Sequence, residues 1–375
     1  MGIDPADRAP GVLDIDVAGI VANWRFLARR VAPVECAAVV KADGYGLGAS
    51  VVAKALAAAG CRQFFVATLD EALTLRAALS ECREVIVLNG PVPGSGGEFA
   101  SSRVVPVLND PGQIAEWQSV ARGCRPLPAM LHVDTGMARL GLTMGEFARL
   151  TDELCRWRTI RWQGLLSHLA CADEPDHPLN REQRARFAAL RGRMTGVPAS
   201  LAASCGIFLG RDYHFDLVRP GAALYGVNPQ PGRPNPMRQI VRLKARILQI
   251  RDVDAGQPVG YGATHVMATA GRLATVAAGY ADGWMRSLSR RGSGLIGGVR
   301  VPLLGRVSMD LAVFDVSAAD PSIARPGGFI ELLGNDYGVD AAAADAGTIG
   351  YEILTALGRR YHRIYRGAEC LSPTC

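Results

Sequence analysis

The stretch AVVKADGYGLGA (38–49) places one lysine at the end of an apolar run and follows it with three alternate glycines. The apolar run predicts a buried strand, which has little reason to end in an ammonium group. A lone lysine there can reach water along its aliphatic stem. Among cationic neighbours, however, its amine would lose proton affinity and become a nucleophile toward a carbonyl. The glycines suit a backbone that passes close to a ligand.

Apolar strand-like runs alternate with helix-like runs through the first two thirds of the chain. Near-continuous apolar strands indicate a parallel sheet that is buried on both faces. Eight regular units favour a closed (β/α)8 TIM-type barrel over an open doubly wound sheet. The strand candidates are 35–42, 63–68, 84–89, 104–109, 128–135, 160–170, 198–204 and 214–221, and the helix candidates are 51–60, 70–80, 113–122, 145–156 and 181–194.

A proline-rich segment, 228–239, separates this pattern from a different one. Beyond it lie short strand-like runs with glycines between them, and one late helical segment at 348–358. The sequence therefore predicts an α/β protein with a barrel domain over 12–235 and a mostly β C-terminal domain over 236–375.

Composition narrows the class of protein. Hydrophobic residues make up 49% of the chain and charged residues 20%, which is typical of a soluble globular protein. No apolar run approaches the roughly 18 residues of a membrane span, and the N-terminus lacks the features of a secretory signal. Nine scattered cysteines without a CxxC pair indicate reduced thiols and no metal site. We expect a cytoplasmic protein that binds no membrane.

The net charge of +6 is not organised into a stripe of arginines and aromatic residues, so we expect no nucleic-acid partner.

Polar residues cluster where the barrel strands end, which is the face that carries active sites in this architecture. Ser204 precedes a helix start, where its hydroxyl and free backbone N–H groups could hold a phosphate or serve only as an N-cap. A lysine beside a phosphate site indicates pyridoxal 5′-phosphate (PLP), whose aldehyde condenses with lysine. The residues at these strand ends are Lys41, Arg139, His168, Ser204 and Arg219.

Nine motifs in order resemble the bacterial alanine racemases, which are PLP enzymes of fold type III. The resemblance runs from about residue 12 to residue 366. The motifs are AVVKADGYGLGA, HVDTGMARLG, SHLACADE, SLAASCGI, LVRPGAALYG, VGYGATH, GYADGW, GRVSMD and GYEIL.

The resemblance implies that Lys41 carries PLP and that Arg219 faces its pyridine nitrogen, with His168 under the ring region. Arginine stays protonated, so the pyridine nitrogen would stay unprotonated and the ring would be a weaker electron sink. The other implied cofactor-binding residues hold the phosphate: Tyr45, Ser204, Gly221, Ala222 and Tyr351.

Racemisation removes a proton from one face of Cα and returns it on the other, so two bases are needed. The resemblance implies that these are Lys41 and Tyr261, with Tyr261 supplied by the other subunit of a homodimer. A free phenol has a pKa of about 10, so cationic neighbours would have to tune this tyrosine.

The resemblance also assigns the amino acid substrate and its access route. Arg139 and the Met309 backbone N–H would lie near the substrate carboxylate. The channel positions could equally form an interface ion-pair network; they are Asp173, Tyr280, Arg286, Arg306 and Asp310.

Two positions depart from the family pattern. Some relatives have a carbamylated lysine seven residues before the Arg139 equivalent, where this chain has His132. The usual Asn-Ser pair is Ala203-Ser204 here, which keeps the hydroxyl and loses one amide.

We expect an alanine racemase that interconverts L- and D-alanine and supplies D-alanine for peptidoglycan. A serine or broad-specificity racemase is an open alternative, because an added hydroxyl is rejected only weakly by an apolar pocket. A non-catalytic PLP-binding barrel and a two-domain PLP decarboxylase are further alternatives. The β domain with Tyr261 counts against the first, and the VRPGAALYG and GYGAT motifs count against the second.

Overall fold

The structure is a computed structural model that describes residues 5–122, 126–152 and 158–368. A ring of parallel strands is followed by a mostly antiparallel sheet, which confirms the predicted order of barrel and β domain. None of the described helices has the length and apolarity to cross a bilayer.

Eight segments form the barrel, and each predicted strand contains an observed one. The first is divided into β2 (Glu35–Cys36) and β3 (Ala38–Val39). Strands β3 to β9 pair in order, and β10 returns to pair in parallel with β2. The Arg219 N–H donates to the Ala202 carbonyl at 2.9 Å, which joins β10 to β9 and closes the ring. The remaining barrel strands are β4 (Gln63–Val66), β5 (Glu84–Val87), β6 (Val105–Leu108), β7 (Leu127–His132), β8 (Ile160–Leu166), β9 (Ala199–Ser200) and β10 (Leu217–Val218).

The helices cover the outside of the barrel. Asp110 begins one of them by accepting the Gln113 N–H at 3.0 Å, with proline at the first helical position. Helix α2, whose buried face includes Trp24 and Leu27, was not predicted. The predicted helix 145–156 is observed as α8, and its residues 153–156 lie outside the described part of the chain. The helices are α1 (Pro5–Arg8), α2 (Val17–Val31), α3 (Lys41–Tyr45), α4 (Ala49–Ala58), α5 (Leu69–Ala78), α6 (Gly96–Ser101), α7 (Pro111–Val120), α8 (Met144–Asp152), α9 (Pro178–Arg191), α10 (Val339–Ala346) and α11 (Gly350–Ala356).

The second domain is an eight-stranded sheet in the order β14-β17-β16-β15-β18-β11-β1-β19, beside the short pair β12–β13. Strand β1 (Gly11–Asp16) pairs antiparallel with β11 and parallel with β19. Residues that we expected to belong to the barrel thus lie in the second domain's sheet, because Leu13 and Ile15 alternate into its core. The other strands are β11 (Val241–Val253), β12 (Pro258–Val259), β13 (His265–Val266), β14 (Gly271–Val276), β15 (Ser293–Ile296), β16 (Val299–Leu304), β17 (Ala312–Asp315), β18 (Phe329–Leu333) and β19 (His362–Arg366).

The chain makes a left-handed turn over 42–45, immediately after Lys41. Ala42, Asp43, Gly44 and Tyr45 have φ angles of 53°, 52°, 64° and 56°. For residues other than glycine this conformation costs about 1–2 kcal/mol each. Hydrogen bonds offset the cost: the Gly44 N–H donates to the Val40 carbonyl at 2.9 Å, and the Glu71 carboxylate accepts the Ala42 N–H at 2.7 Å.

The second domain packs directly on this turn. The Arg363 guanidinium donates to the Gly46 carbonyl at 2.6 Å. A Cβ atom on Gly46 would lie 2.6 Å from the Leu354 carbonyl oxygen, so glycine is required by space as well as by its φ of 80°. Helix α11 therefore meets the end of the first barrel strand within one chain.

We predict that Glu71→Ala lowers the free energy of unfolding by about 2 kcal/mol, because its carboxylate accepts two backbone donors, Ala42 N–H and Ala67 N–H, each at 2.7 Å. Asp70→Ala is the matched control in the same helical turn and should cost about 0.5 kcal/mol through the helix dipole alone. Urea unfolding of both variants measures the difference, and equal losses would contradict the bracing role of Glu71.

Candidate active site

Lys41 lies half-buried at the carboxyl end of the first barrel strand, where the charges of Arg139 and Glu71 act on it. Burial lowers its pKa, and the Arg139 guanidinium lowers it further against the opposing pull of Glu71. A lysine that merely snorkelled to water would keep its ordinary proton affinity. Its environment therefore favours the neutral, nucleophilic amine.

Arg219 is buried at the end of β10, with 4% of its surface exposed. Its guanidinium donates to the Ser167 carbonyl at 2.7 Å and to the Ser200 hydroxyl, and no carboxylate pairs with it among the described residues. Burial lowers its pKa to about 10, so it stays protonated at neutral pH. A buried guanidinium without a carboxylate partner is not part of a surface ion pair.

Two histidines share the same mouth. Burial, followed by the charges of Arg219 and Arg139, lowers the pKa of His168 to about 3. Burial and then Arg219 lower the pKa of His132 to about 4. Both imidazoles are neutral at physiological pH, so they add no positive charge to the mouth.

Arg139 projects from the loop between β7 and α8. The Asp134 carboxylate accepts the N–H groups of Gly136, Met137 and Ala138 at 2.8, 2.7 and 2.7 Å. Although burial acts to raise the pKa of Asp134, these donors lower it overall. The loop is thus rigid, while the Arg139 side chain is exposed and has no ion pair within the described residues.

Five groups form what we call the phosphate cradle: Tyr45, Ser204, Gly221, Ala222 and Tyr351. Ser204 does not cap the short helix that follows it. Its hydroxyl oxygen instead accepts the N–H groups of Gly221 and Ala223 at 3.0 and 3.2 Å. A Cβ atom on Gly221 would lie 2.3 Å from the Tyr45 hydroxyl, so only glycine allows this approach.

The cradle draws on both domains. The rings of Tyr45 and Tyr351 lie 6.1 Å apart, and burial raises the pKa of both phenols, so both remain donors. The Ala222 N–H is buried and has no protein acceptor among the residues described. None of these donors has a carboxylate at hydrogen-bonding distance among the described residues, so they suit a phosphate dianion. The half-buried Lys41 nearby suits condensation with an aldehyde. The residues present therefore fit PLP.

The remaining predicted residues lie on the second domain, apart from Asp173, which follows β8 and acts on the pKa of Cys205. Tyr261 and Met309 are exposed by 73% and 54% within one chain. The Arg306 guanidinium reaches the Tyr261 loop, since a Cβ on Gly262 would lie 3.1 Å from its Nη1 atom.

The other predicted channel residues of the second domain lie near Met309 or at the surface. The Tyr280 N–H donates to the Ser308 carbonyl beside Met309 at 3.0 Å. Arg286 and Asp310 are exposed, and Asp310 accepts from Arg360 at 2.7 Å.

Several residues that hold this site together were not predicted from the sequence. Asn109 directly follows β6 and hydrogen-bonds to His132, and the Ser200 hydroxyl accepts from Arg219. Asn109 stands at the end of a predicted strand, which is the signal that identified the other mouth residues. Ser167, Glu71 and Ser200 carry no such signal, because their roles depend on contacts across the chain.

Three comparisons with known proteins agree. The family model for the alanine racemase N-terminal domain matches residues 15–229, and the model for the C-terminal domain matches residues 240–365. An alanine racemase from Rhodospirillum rubrum is 52% identical over 97% of this chain and 98% of its own length. A protein from Mesorhizobium japonicum named "alanine racemase, catabolic" is 47% identical over 96% of this chain and 94% of its own length.

Solved structures give the same result. The Bartonella henselae alanine racemase with covalently bound pyridoxal phosphate superposes with a TM-score of 0.91 at 42% identity, covering 95% of this chain and 99% of that one. The Streptomyces coelicolor enzyme has a TM-score of 0.92 at 34% identity, covering 97% and 100%. The resemblance drawn from the nine motifs is confirmed: this chain belongs to the alanine racemase family, whose members are PLP-dependent isomerases.

Proposed function

We propose that this chain racemises alanine, interconverting the L and D forms with Lys41 and Tyr261 as the two bases. The observation that carries the proposal is the half-buried Lys41, whose pKa burial and Arg139 lower, beside a phosphate cradle that fits PLP. Membership of the alanine racemase family supports the reaction, and the amino acid substrate follows from it.

When bound, PLP acidifies the substrate Cα–H by delocalising the electron pair that the proton leaves behind. The cradle would hold its phosphate, and Arg219 would keep its ring nitrogen unprotonated because a buried guanidinium with a pKa of about 10 does not give up its own proton at neutral pH. Lys41 would take or return the Cα proton on one face through its Nζ atom. Neutral His168 adds bulk without a charge.

The second base requires a partner. Tyr261 is exposed to solvent on the β domain of a single chain. To act on a substrate bound beside the half-buried Lys41, its phenol would have to lie inside the site. We propose a homodimer in which each β domain supplies Tyr261 and the Met309 backbone N–H to the other chain's barrel. A symmetric interface of this kind completes two sites at once.

The substrate carboxylate would meet Arg139, which is exposed at the mouth and lacks a carboxylate partner among the described residues. The five channel residues (Asp173, Tyr280, Arg286, Arg306 and Asp310) would line the way in. Their roles and the cytoplasmic location stay predictions. So do the domain limits of 12–235 and 236–375, apart from β1, which pairs within the second domain's sheet. So does the supply of D-alanine to peptidoglycan, since one relative is named catabolic.

We predict that Lys41→Ala abolishes racemisation and removes the visible absorbance of protein-bound cofactor, because the other two lysines, Lys54 on α4 and Lys244 on β11, do not lie at the end of a barrel strand. Lys54→Ala is the control, since Lys54 is an exposed lysine on α4. Absorbance spectra of both variants purified with PLP test the anchor. A Lys41→Ala protein with the spectrum of the wild type would refute the assignment.

We predict that Tyr261→Phe lowers the racemisation rate by at least about 10²-fold while leaving the cofactor spectrum unchanged, because general base catalysis contributes that much. The measurement is exchange of the alanine Cα proton with solvent deuterium together with the loss of optical rotation. Retention of full activity would exclude Tyr261 as a base.

The shared site gives a sharper prediction. Lys41→Ala and Tyr261→Phe chains, each inactive alone, should regain activity when they are unfolded and refolded together. Random pairing makes about half of the dimers mixed, with one complete site each, so activity should reach about one quarter of the wild-type value. If each chain used its own tyrosine, mixing would restore nothing. Comparing alanine with serine in the same assay tests the broad-specificity alternative.

A further inference from the structure

Met309 lies on a short loop, 306–311, which is held against the neighbouring turn 279–283. The Ala281 N–H donates to the Met309 carbonyl at 3.0 Å. A Cβ on Gly279 would overlap that carbonyl oxygen, so only glycine allows the turn to approach the loop this closely. The Met309 N–H, in contrast, has no acceptor among the described residues. The turn therefore fixes the carbonyl of this residue and leaves its N–H available to a ligand.

Asp282 fixes the turn from inside the fold. Its side chain is buried, and its Oδ2 atom accepts the Gly279 N–H at 2.9 Å. Its backbone carbonyl accepts the Gly358 N–H at 3.0 Å. A Cβ on Gly283 would overlap the Ala356 carbonyl oxygen. The turn is thus packed directly against the segment that leads from α11 to β19.

Arg360 belongs to that segment and contacts two carboxylates with one guanidinium. Its Nε atom lies 2.6 Å from Asp282 Oδ1, and its Nη1 atom donates to Asp310 Oδ1 at 2.7 Å. No aligned hydrogen bond reaches Asp282 Oδ1 in the described chain, so the charge of Arg360 compensates this buried oxygen. One carboxylate belongs to the turn that holds Met309, and the other belongs to the residue directly after Met309. Because the guanidinium is planar and its N–H directions are fixed, it sets the spacing between the two acids.

We propose that Arg360 is a positioning residue: by joining Asp282 to Asp310, it holds the Met309 loop in the conformation that presents the free N–H to the carboxylate of the bound amino acid. The inference rests on the proposed function, in which this N–H meets the substrate carboxylate in the other chain's barrel. Arg360 itself touches no substrate and acts only through the two acids. A donor that is held in place before the substrate arrives strengthens binding, because less ordering is needed on binding.

The test compares Arg360→Met with Arg359→Met, a control that removes a neighbouring exposed arginine without an ion pair in the described chain. In the holoenzyme, Arg360→Met should raise the KM for alanine and the Kd for propionate about tenfold each, the usual effect of losing a hydrogen bond to a charged group. The value of kcat should change by less than about twofold. A variant that merely folds less well would lose kcat and binding stoichiometry at an unchanged affinity. Steady-state kinetics and calorimetric titration with propionate, a carboxylate that cannot be racemised, give these values.

Asp310→Asn is a second variant, which removes one arm of the bridge and leaves the buried Asp282 paired with Arg360. It should weaken propionate binding about threefold, as expected for a partly exposed ion pair. In the Arg360→Met background it should add no further loss, because the bridge is already broken. If Arg360→Met does not fold, as judged by cofactor absorbance, the propionate affinity of Asp310→Asn decides alone.

Three results would overturn the proposal: an Arg360→Met or Asp310→Asn protein that binds propionate as tightly as the Arg359→Met control, an equal loss from Asp310→Asn in both backgrounds, or a loss that varies with enzyme concentration and therefore reflects dimer assembly. A wild-type holoenzyme that neither binds propionate nor exchanges the Cα proton of alanine would overturn the proposed function together with this inference. Normal exchange by the wild type, with Arg360→Met matching its control, would overturn this inference alone.

Discussion

The left-handed turn after Lys41 is the constraint on which the site depends. Three non-glycine residues adopt positive φ angles there, and the local cost is offset by the Glu71 carboxylate and by backbone hydrogen bonds. The turn brings Tyr45 to the same mouth as Lys41, which lies four positions earlier in the chain. It also forms the surface on which α11 packs, so that Tyr351 can join Tyr45. The positions of the lysine anchor and of the phosphate donors, and the contact between the two domains, all depend on this one strained segment.

The two arginines of the mouth, Arg139 and Arg219, form no ion pair with a carboxylate among the described residues. Arg219 donates to a carbonyl and a hydroxyl, and the carboxylates of Glu71 and Asp134 accept backbone N–H groups. Burial, and then the neighbouring arginines, lower the pKa of Lys41 and keep both histidines neutral. A site of this kind is completed by anions, and a phosphate together with an amino acid carboxylate supplies them.

The sequence predicted the barrel well because its buried strands are apolar runs, a signal that does not depend on tertiary context. It did not predict β1, because Gly11–Asp16 acquires its partners only through β11 and β19, more than 200 residues away. Residues at strand ends, such as His168 and Arg219, were identified from position. Glu71 and Ser200 were missed, since an acceptor for a distant donor has no local signature. The exposed Tyr261 gained its role from the resemblance alone.

The neutral His132 leaves the charge of Arg139 uncompensated. An anionic side chain at this position would offset much of the charge of a nearby arginine before any substrate arrived. Burial, and then Arg219 and Arg139, lower the pKa of the imidazole, so its neutrality is maintained in part by the same cations that attract the substrate. The arginine therefore keeps its attraction for a carboxylate, because the buried side chain at the end of β7 adds no charge of its own.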